Sequence, residues 1–499
     1  MDSGGPGPSP GDDLSRSPAT ALASAIRARS VSPVEVVDAV LARIESQNPR
    51  INAFCTVTAE AARRRARQAA EALVHGADVG PLHGIPYSLK DLTDTAGVRT
   101  TMGSLLFADR VPTEDSVLAA RMASAGGILV GKTNTPDHGC KGVTDNRLFE
   151  TTVNPWDRTR TPGGSSGGAA AAVATGMAPL AEGSDFAGSI RIPASYCGVV
   201  GLKPSTGRVP LHPNPAAWHP VSFVSGPLTK TVADAALMLR VIAGPDVRDP
   251  ISLPDDGTDF TAATAESATP ARARIAWTAD LGFAPVDPEV VAVCEQALRR
   301  VAGVFDLRVE TVTPSLPDCL DAYGLLNDTL RGALMEPYFD TRQADIDPLL
   351  VRKVRQARGR TAADVGVAQM IQTAVYHEIR TLLESHDYIA LPTTPTDAFD
   401  LGRQYQSEIA GMPIGSPYET LPLTFVFNLT GHPAISIPAG FTAAGLPVGI
   451  QIVGRWRDDF SVLALAAAFE RANPWRDRWP EDLTSTDRAA HDVTEGTHR

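Results

Sequence analysis

The chain of 499 residues is short of positive charge: 45 Lys and Arg stand against 57 Asp and Glu, a formal net charge of -12. That balance supplies no surface for a polyanion, so neither nucleic acid nor an anionic membrane is expected as a direct partner. Cysteine is scarce as well. Cys55, Cys140, Cys197, Cys294 and Cys319 are scattered, odd in number and without a CxxC pair, which argues against a disulfide framework or zinc site and for reduced, cytoplasmic thiols. No apolar run comes near the roughly 20 residues needed to cross a bilayer. The opening "MDSGGPGPSPGDDLSRSP" lacks the apolar segment of a secretory signal. No repeat at a fixed period is visible.

What the chain does have is bulk. With 43% hydrophobic residues and no low-complexity linker, it can bury one large core. The expected layout is a disordered tail over residues 1–20, a single domain over 21–475 and a polar tail over 476–499. "SVSPVEVVDAVLARIESQNP" opens with Ser32 as N-cap, Pro33 at the first helical position and Glu35 closing a capping box. Val34, Val37, Val40, Leu41 and Ile44 then recur at helical spacing. A charged, Ala-rich helix follows over Ala59 to Val74, and another runs from about Asp115 to Ser124. "GILVG", "CGVVGLK", "RIAWTA", "DLRVETV", "DYIALP", "AISIPAG" and "VGIQIVG" read as strands, with helices "DPEVVAVCEQALRRVAG" and "FSVLALAAAFERA" between and after them. Strands alternating with helices predict a layered α/β/α fold, a central mixed sheet flanked by helices on both faces.

Two motifs mislead. "GGILVGKT", Gly126 to Thr133, satisfies the P-loop pattern letter by letter, yet a helix precedes it and Pro136 follows soon after. A phosphate cradle needs a strand before and a helix after. Gly163, Ser165 and Gly167 fit the GxSxG elbow of α/β-hydrolases, but "NPWDRTRTP" before them offers no strand from which an elbow could project. His386 and His432 lie downstream, and neither is in a context that marks a base. A serine hydrolase without a histidine needs another base. Lysine can serve if it is neutral, which requires its pKa to fall from about 10.4 to near 7 at a cost of about 4 kcal/mol that burial can impose. Lys90 ends the short apolar run "GIPYSLK" and is the candidate; a surface pairing with Asp91 or Asp94 is the alternative.

At this point the residues carry a resemblance. "GIPYSLKDLTDTAG", "PGGSSGGAAAAVATG", "GSDFAGSIRIPASYCGVVGLKPSTGRVP" and "FNLTGHPAISIPAGFTAAGLPVGIQIVG" together resemble the amidase signature family over approximately residues 25 to 240 and 385 to 472. The resemblance implies a single amidase signature domain with Lys90 as base, Ser165 as a bridging serine held by a cis peptide and Ser189 as nucleophile. It also implies an oxyanion hole from the backbone N–H groups of Phe186, Ala187, Gly188 and Ser189, and needs no metal or cofactor. Asp185 and Arg191, flanking the nucleophile, are expected to pair and support the loop. The chain departs from the family's "TDxGGS" with "SDFAGS". If Ala187 needed positive φ, it would cost on the order of 1 kcal/mol. Trp218 and Phe223 either line a substrate entrance or pack their Pro-rich loop, and the divergent, helical segment 314–385 is expected to shape the pocket.

The expected activity is hydrolysis of the C–N bond in small, fairly hydrophobic amides, aryl amides or carbamates, by a monomer or homodimer. Two alternatives stand beside it: the glutaminase subunit of a tRNA-dependent amidotransferase, and a catalytically silent binding protein on the same scaffold.

Overall fold

The structure is a computed structural model that describes residues 13–221 and 223–482. Its strands are β1 (Phe54–Val57), β2 (Pro86–Lys90), β3 (Ile128–Thr133), β4 (Leu180–Asp185), β5 (Val200–Lys203), β6 (Val224–Thr229), β7 (Arg274–Trp277), β8 (Arg308–Thr311), β9 (Tyr388–Pro392), β10 (Glu408–Ile409), β11 (Met412–Pro413), β12 (Ala434–Phe441) and β13 (Pro447–Val453). All but β10 and β11, which pair with each other, form one 11-stranded sheet in the order β1-β3-β2-β4-β6-β5-β12-β13-β9-β7-β8. The sheet is mixed: β2 is parallel to both β3 and β4, β4 is antiparallel to β6, and β12 is antiparallel to β5 and β13.

Side chains alternate across a strand, so successive residues enter different layers. Ile275 and Trp277 join the core that holds the helices Ala19–Arg27, Val232–Ile242, Pro288–Phe305 and Asp459–Ala472, while Ala276 joins Tyr323, Leu326 and Phe425 on the other face. Ala390 and Ile389 divide in the same way. The expected α/β/α layering is therefore present, with helices on both faces of a mixed sheet. Ser32 caps the helix Pro33–Ile51 in a full capping box with Glu35. "GGILVGKT" is turn and strand: the preceding helix ends at Ser124, Ile128–Thr133 is β3, and Lys132 is fully buried beside Thr95 rather than open to a phosphate. The divergent segment holds the helices Cys319–Arg342, Pro348–Arg358 and Ala362–Ser385.

Residues 13–20 and 476–482, expected to belong to terminal tails, are placed against the domain. Asp13 caps a 3-10 turn at Leu14–Arg16, and Ala19, Leu22 and Ile26 are core residues; Ala19 and its neighbours bury apolar surface that composition alone discounted. Asp482 accepts a hydrogen bond from Arg16 at 2.5 Å and pairs with Arg43, so residues 476–482 are tied down as well. Residues 1–12 and 483–499 lie outside the described residues.

The topology brings the chemistry together. Tyr87 and Ser88 of β2 pair with Leu180 and Ala181 of β4, so Lys90 and Ser184 emerge side by side at the ends of neighbouring parallel strands. The helix Gly167–Ala174 is buried on every side, and a helix apolar all round belongs in an interior. Its small residues let neighbours approach closely. A Cβ on Gly168 would meet Asn134 N at 2.5 Å and Ala53 O at 2.7 Å, backbone atoms that cannot step aside. Gly168→Ala is expected to destabilise the fold by roughly 1–3 kcal/mol, read as a lower urea midpoint with unchanged slope. An unchanged midpoint would contradict this packing.

Candidate active site

Lys90 is fully buried at the end of β2. Its Nζ lies 2.6 Å from Ser165 Oγ, 2.9 Å from Ser166 Oγ and 3.0 Å from Ser184 Oγ. No carboxylate among the described residues bonds to it. Glu182 accepts instead from the Lys90 backbone N–H at 3.0 Å and from Thr93 Oγ1 at 2.8 Å. The surface pairing open in the sequence is absent, because Asp91 is bound by Thr101 N at 3.1 Å and Asp94 by Arg110 at 2.5 Å. Burial pushes the Lys90 amine down to about 7, against the pull of Glu182 and Asp185 and with a smaller push from Arg331.

Four other described lysines are buried and depressed, each chiefly by desolvation: Lys132 and Lys230 to about 8, Lys203 to about 7, and Lys353 downward as well. Lys132 donates to Thr95 Oγ1 at 2.7 Å and Lys203 to Pro204 O at 3.0 Å, so burial alone does not single out a base. Contact with the hydroxyls does. Ser165 follows a cis peptide bond from Gly164, as the resemblance implied. Neither histidine reaches these serines. His432, pushed down to about 3 by burial and Lys203, bonds Thr430 Oγ1 at 2.9 Å, and His386 bonds Glu310 at 3.2 Å.

Ser189 sits on the loop between β4 and the helix Arg191–Cys197. Its carbonyl accepts from Ser166 N at 3.2 Å, which ties the two serine-bearing loops together. Ser189 and Gly164 share the wall of a cavity of about 640 Å³ with Phe186, Ala187, Ile192 and Tyr323. The loop is anchored from below. Asp185 and Arg191, both fully buried, form a two-pronged ion pair with Nε and Nη2 each at 3.0 Å. Burial alone would raise Asp185, but Arg191 and Asn428 hold its carboxyl well below the usual range. Arg191 reaches on to Gln451 at 2.5 Å, Asn428 at 2.7 Å and Thr424 O at 3.0 Å.

This anchoring corrects one expectation and answers one open condition. Asp185 Oδ1 takes the Gly188 N–H at 2.7 Å, so that donor is committed to the loop and is not available to an oxyanion. The N–H groups of Phe186, Ala187 and Ser189 have no partner in the hydrogen bonds among the described residues. Ala187 does not have positive φ; the left-handed position is Gly188, at φ 115°, where a Cβ would meet Thr424 Oγ1 at 2.4 Å. Alanine at 187 therefore carries no backbone penalty, and Thr424 Oγ1 donates to its carbonyl at 2.6 Å.

Trp218 is 78% exposed and lines neither of the two cavities around the site; the Pro-rich loop turns its ring out to solvent. Phe223 packs on Phe186 with ring centroids 4.6 Å apart and lines a second cavity of about 200 Å³, whose wall also includes Ser184. Arg331 borders both cavities, its guanidinium 4.9 Å from the Phe223 centroid and 5.5 Å from that of Phe186. Sequence reasoning passed over Ser166, Ser184, Thr424, Asn428 and Arg331. The doubled "GSSG" is a usable signal for Ser166, but Arg331 sits 193 residues from its partner His138 and carries no local mark. Among the described residues no group of three or more His, Cys, Asp or Glu is arranged for a metal, and no helix is long and apolar enough to cross a membrane.

Known proteins resemble the chain in sequence and fold. The amidase family model matches residues 35–463. An acylamidase of Rhodococcus erythropolis is 38% identical over 473 residues, covering 93% of this chain and 97% of its own. A glutamyl-tRNA(Gln) amidotransferase subunit from Roseiflexus sp. (strain RS-1) is 37% identical over 481 residues, covering 90% and 95%. Among solved structures, a bacterial aryl acylamidase of the amidase signature enzymes superposes with TM-score 0.88 at 32% identity, covering 93% of this chain and 98% of that one. A 6-aminohexanoate cyclic dimer hydrolase in complex with its substrate does so with TM-score 0.85 at 29% identity, covering 95% and 100%. The chain belongs to the amidase family, with the amidase signature fold. It is a hydrolase of amide C–N bonds.

Replacing Asp185 by Asn leaves Arg191 buried beside a neutral partner. The expected loss is about 3–5 kcal/mol of unfolding free energy, measured by urea denaturation, and a loss under about 1 kcal/mol would contradict the anchoring. Because the folded carboxyl is depressed, wild-type stability supplied by Asp185 is present above about pH 4, the unfolded value, and declines as pH falls below it.

Proposed function

We propose that Ser189 is the nucleophile of amide hydrolysis, with Ser165 relaying protons to and from a neutral Lys90. The observation that carries this reading is the buried Lys90 amine, held near 7 and 2.6 Å from Ser165 Oγ, behind the cavity wall to which Gly164 and Ser189 contribute. As Ser189 Oγ attacks the carbonyl carbon, its proton moves to Ser165 Oγ and the Ser165 proton to the lone pair of Lys90 Nζ. The C=O π pair becomes the oxyanion, facing the N–H groups of Phe186, Ala187 and Ser189. The Lys90 proton then returns through Ser165 to the departing nitrogen as the C–N bond breaks. Water repeats the relay on the acyl-enzyme and releases the acid.

The substrates of this reading are small, fairly apolar amides, aryl amides foremost, because Phe186, Ile192, Tyr323 and Leu421 supply the walls beside Ser189. Carbamates present the same carbonyl to the same relay. A second reading, glutaminase within a tRNA-dependent amidotransferase, is favoured by the amidotransferase relative at 37% identity. Phe186 and Ala187, apolar in the loop itself, count against it. Supporting the first reading are the acylamidase relative and the aryl acylamidase neighbour.

The test is a panel of 4-nitroanilides, aryl carbamates and glutamine. Ser189→Ala is expected to lower kcat on the anilides by about 10⁴-fold or more while the unfolding midpoint stays put; undiminished turnover would overturn the assignment. Glutamine turnover above that of the anilides would favour the second reading. For wild type, kcat/KM is expected to rise about tenfold per pH unit until Lys90 loses its proton near 7, then to level off. A limb centred near pH 10 would contradict a buried neutral base.

A further inference from the structure

The large cavity has one wall built by the helix Cys319–Arg342, and along it Tyr323, Asn327 and Arg331 line up at successive four-residue spacings, which places them on one helical face. Tyr323 begins the strip at the nucleophile's loop, with its hydroxyl 3.3 Å from Phe186 O and its ring stacked on Phe425 at 4.5 Å. The next two residues carry an anomaly. Asn327 Oδ1 is a buried acceptor without a donor, and Arg331 Nε is a buried donor without an acceptor. The two side chains are only 8% and 4% exposed. Buried polar groups are nearly always satisfied, so complementary orphans on two residues that line the same cavity one turn apart point to a ligand.

The orientation of the Asn327 amide is fixed by its neighbours. Tyr418 O–H donates to Asp328 Oδ1 at 2.6 Å, leaving its oxygen to accept from Asn327 Nδ2 at 3.1 Å. The amide nitrogen is thereby used and the carbonyl oxygen is left over. Arg331 is a buried guanidinium with no carboxylate partner among the described residues. Its Nη1 donates to His138 O and its Nη2 to Gly139 O at 3.3 Å, while the faces of Phe186 and Phe223 take part of its charge.

We infer that Asn327 and Arg331 form a specificity subsite for a second carboxamide on the substrate, remote from the scissile bond, whose N–H is taken by Asn327 Oδ1 and whose C=O is taken by Arg331. The inference rests on Ser189 acting as the nucleophile in the same cavity. A carboxamide fits both orphans at once. A carboxylate fits Arg331 alone and sets an anion against the Asn327 oxygen, and an apolar chain leaves both unpaired. Primary-amide-tailed anilides and diamides are thus the substrate class selected within the amides.

The experiment compares succinamoyl, glutaramoyl and adipamoyl 4-nitroanilides with analogues in which the terminal carboxamide is replaced by an isopropyl group or a carboxylate. Wild type is expected to favour the carboxamide of its optimal chain length over the isopropyl isostere by about tenfold or more in kcat/KM, and over the carboxylate as well. Asn327→Leu is expected to bring the carboxamide-to-isopropyl ratio close to one, and Arg331→Met to do the same. Since Arg331 also holds the His138–Gly139 turn, Asn327→Leu is the deciding variant if Arg331→Met folds poorly. A wild-type ratio near one, a ratio unmoved by Asn327→Leu, or a preference for the carboxylate would each overturn the subsite. If no anilide of the series is cleaved, the nucleophile assignment fails and takes the subsite with it.

Discussion

The site depends on one amine kept out of water, with no counter-ion in contact among the described residues. Three hydroxyl oxygens surround Lys90 Nζ within 3.0 Å, from Ser165, Ser166 and Ser184. Hydroxyls can donate to a lone pair as well as accept from an N–H, so this shell suits a neutral amine as readily as an ammonium. A carboxylate in the same place would hold the charge on. Glu182 is near enough to pull the pKa upward, yet its bonds go to the Lys90 backbone and to Thr93. The strand pairing that sets β2 beside β4 is what makes this possible, since it supplies Lys90 and Ser184 from adjacent strand ends and leaves Ser165 and Ser166 to arrive on the loop before a buried helix.

A second buried arrangement places the nucleophile's loop. Asp185 and Arg191 form a fully buried ion pair that would be costly alone, but every prong of it is used. Asp185 holds Gly188 N and Ile190 N, and Arg191 reaches Thr424 O, Asn428 and Gln451. The loop is thus bolted to the helix Pro422–Leu429 and to β13, 233 residues or more further along the chain. The block near residue 430 is the floor on which the loop near residue 190 rests. The same anchoring leaves three N–H groups open by committing the fourth.

Much of this was legible from residue order. Ser32, Pro33 and Glu35 announced a helix start because a capping box is local chemistry, and Lys90 stood out because an apolar run leads into it. The elements that escaped were those whose identity is set by tertiary context. β4, "LAEGSD", shows no alternation because both of its faces are buried, and the helix Arg191–Cys197 begins with a charge whose partner is in the preceding strand. Ala19–Arg27 was hidden by a Gly- and Pro-rich start. At the site, the catalytic candidates were readable as motif positions, whereas Gly188's commitment to Asp185, the outward turn of Trp218 and the orphaned pair on the Asn327–Arg331 strip depend on contacts between segments far apart in sequence. Residue order alone also left open whether Ala187 needs positive φ; that demand falls on Gly188.

The most direct test of the central claim is to titrate Lys90 itself. In protein labelled at the lysine ε-carbon, the Lys90 resonance, assigned by its loss in Lys90→Arg, is expected to titrate near pH 7, well below the exposed lysines. A resonance that stays in its ammonium form until about pH 10, the ordinary lysine range, would contradict the account.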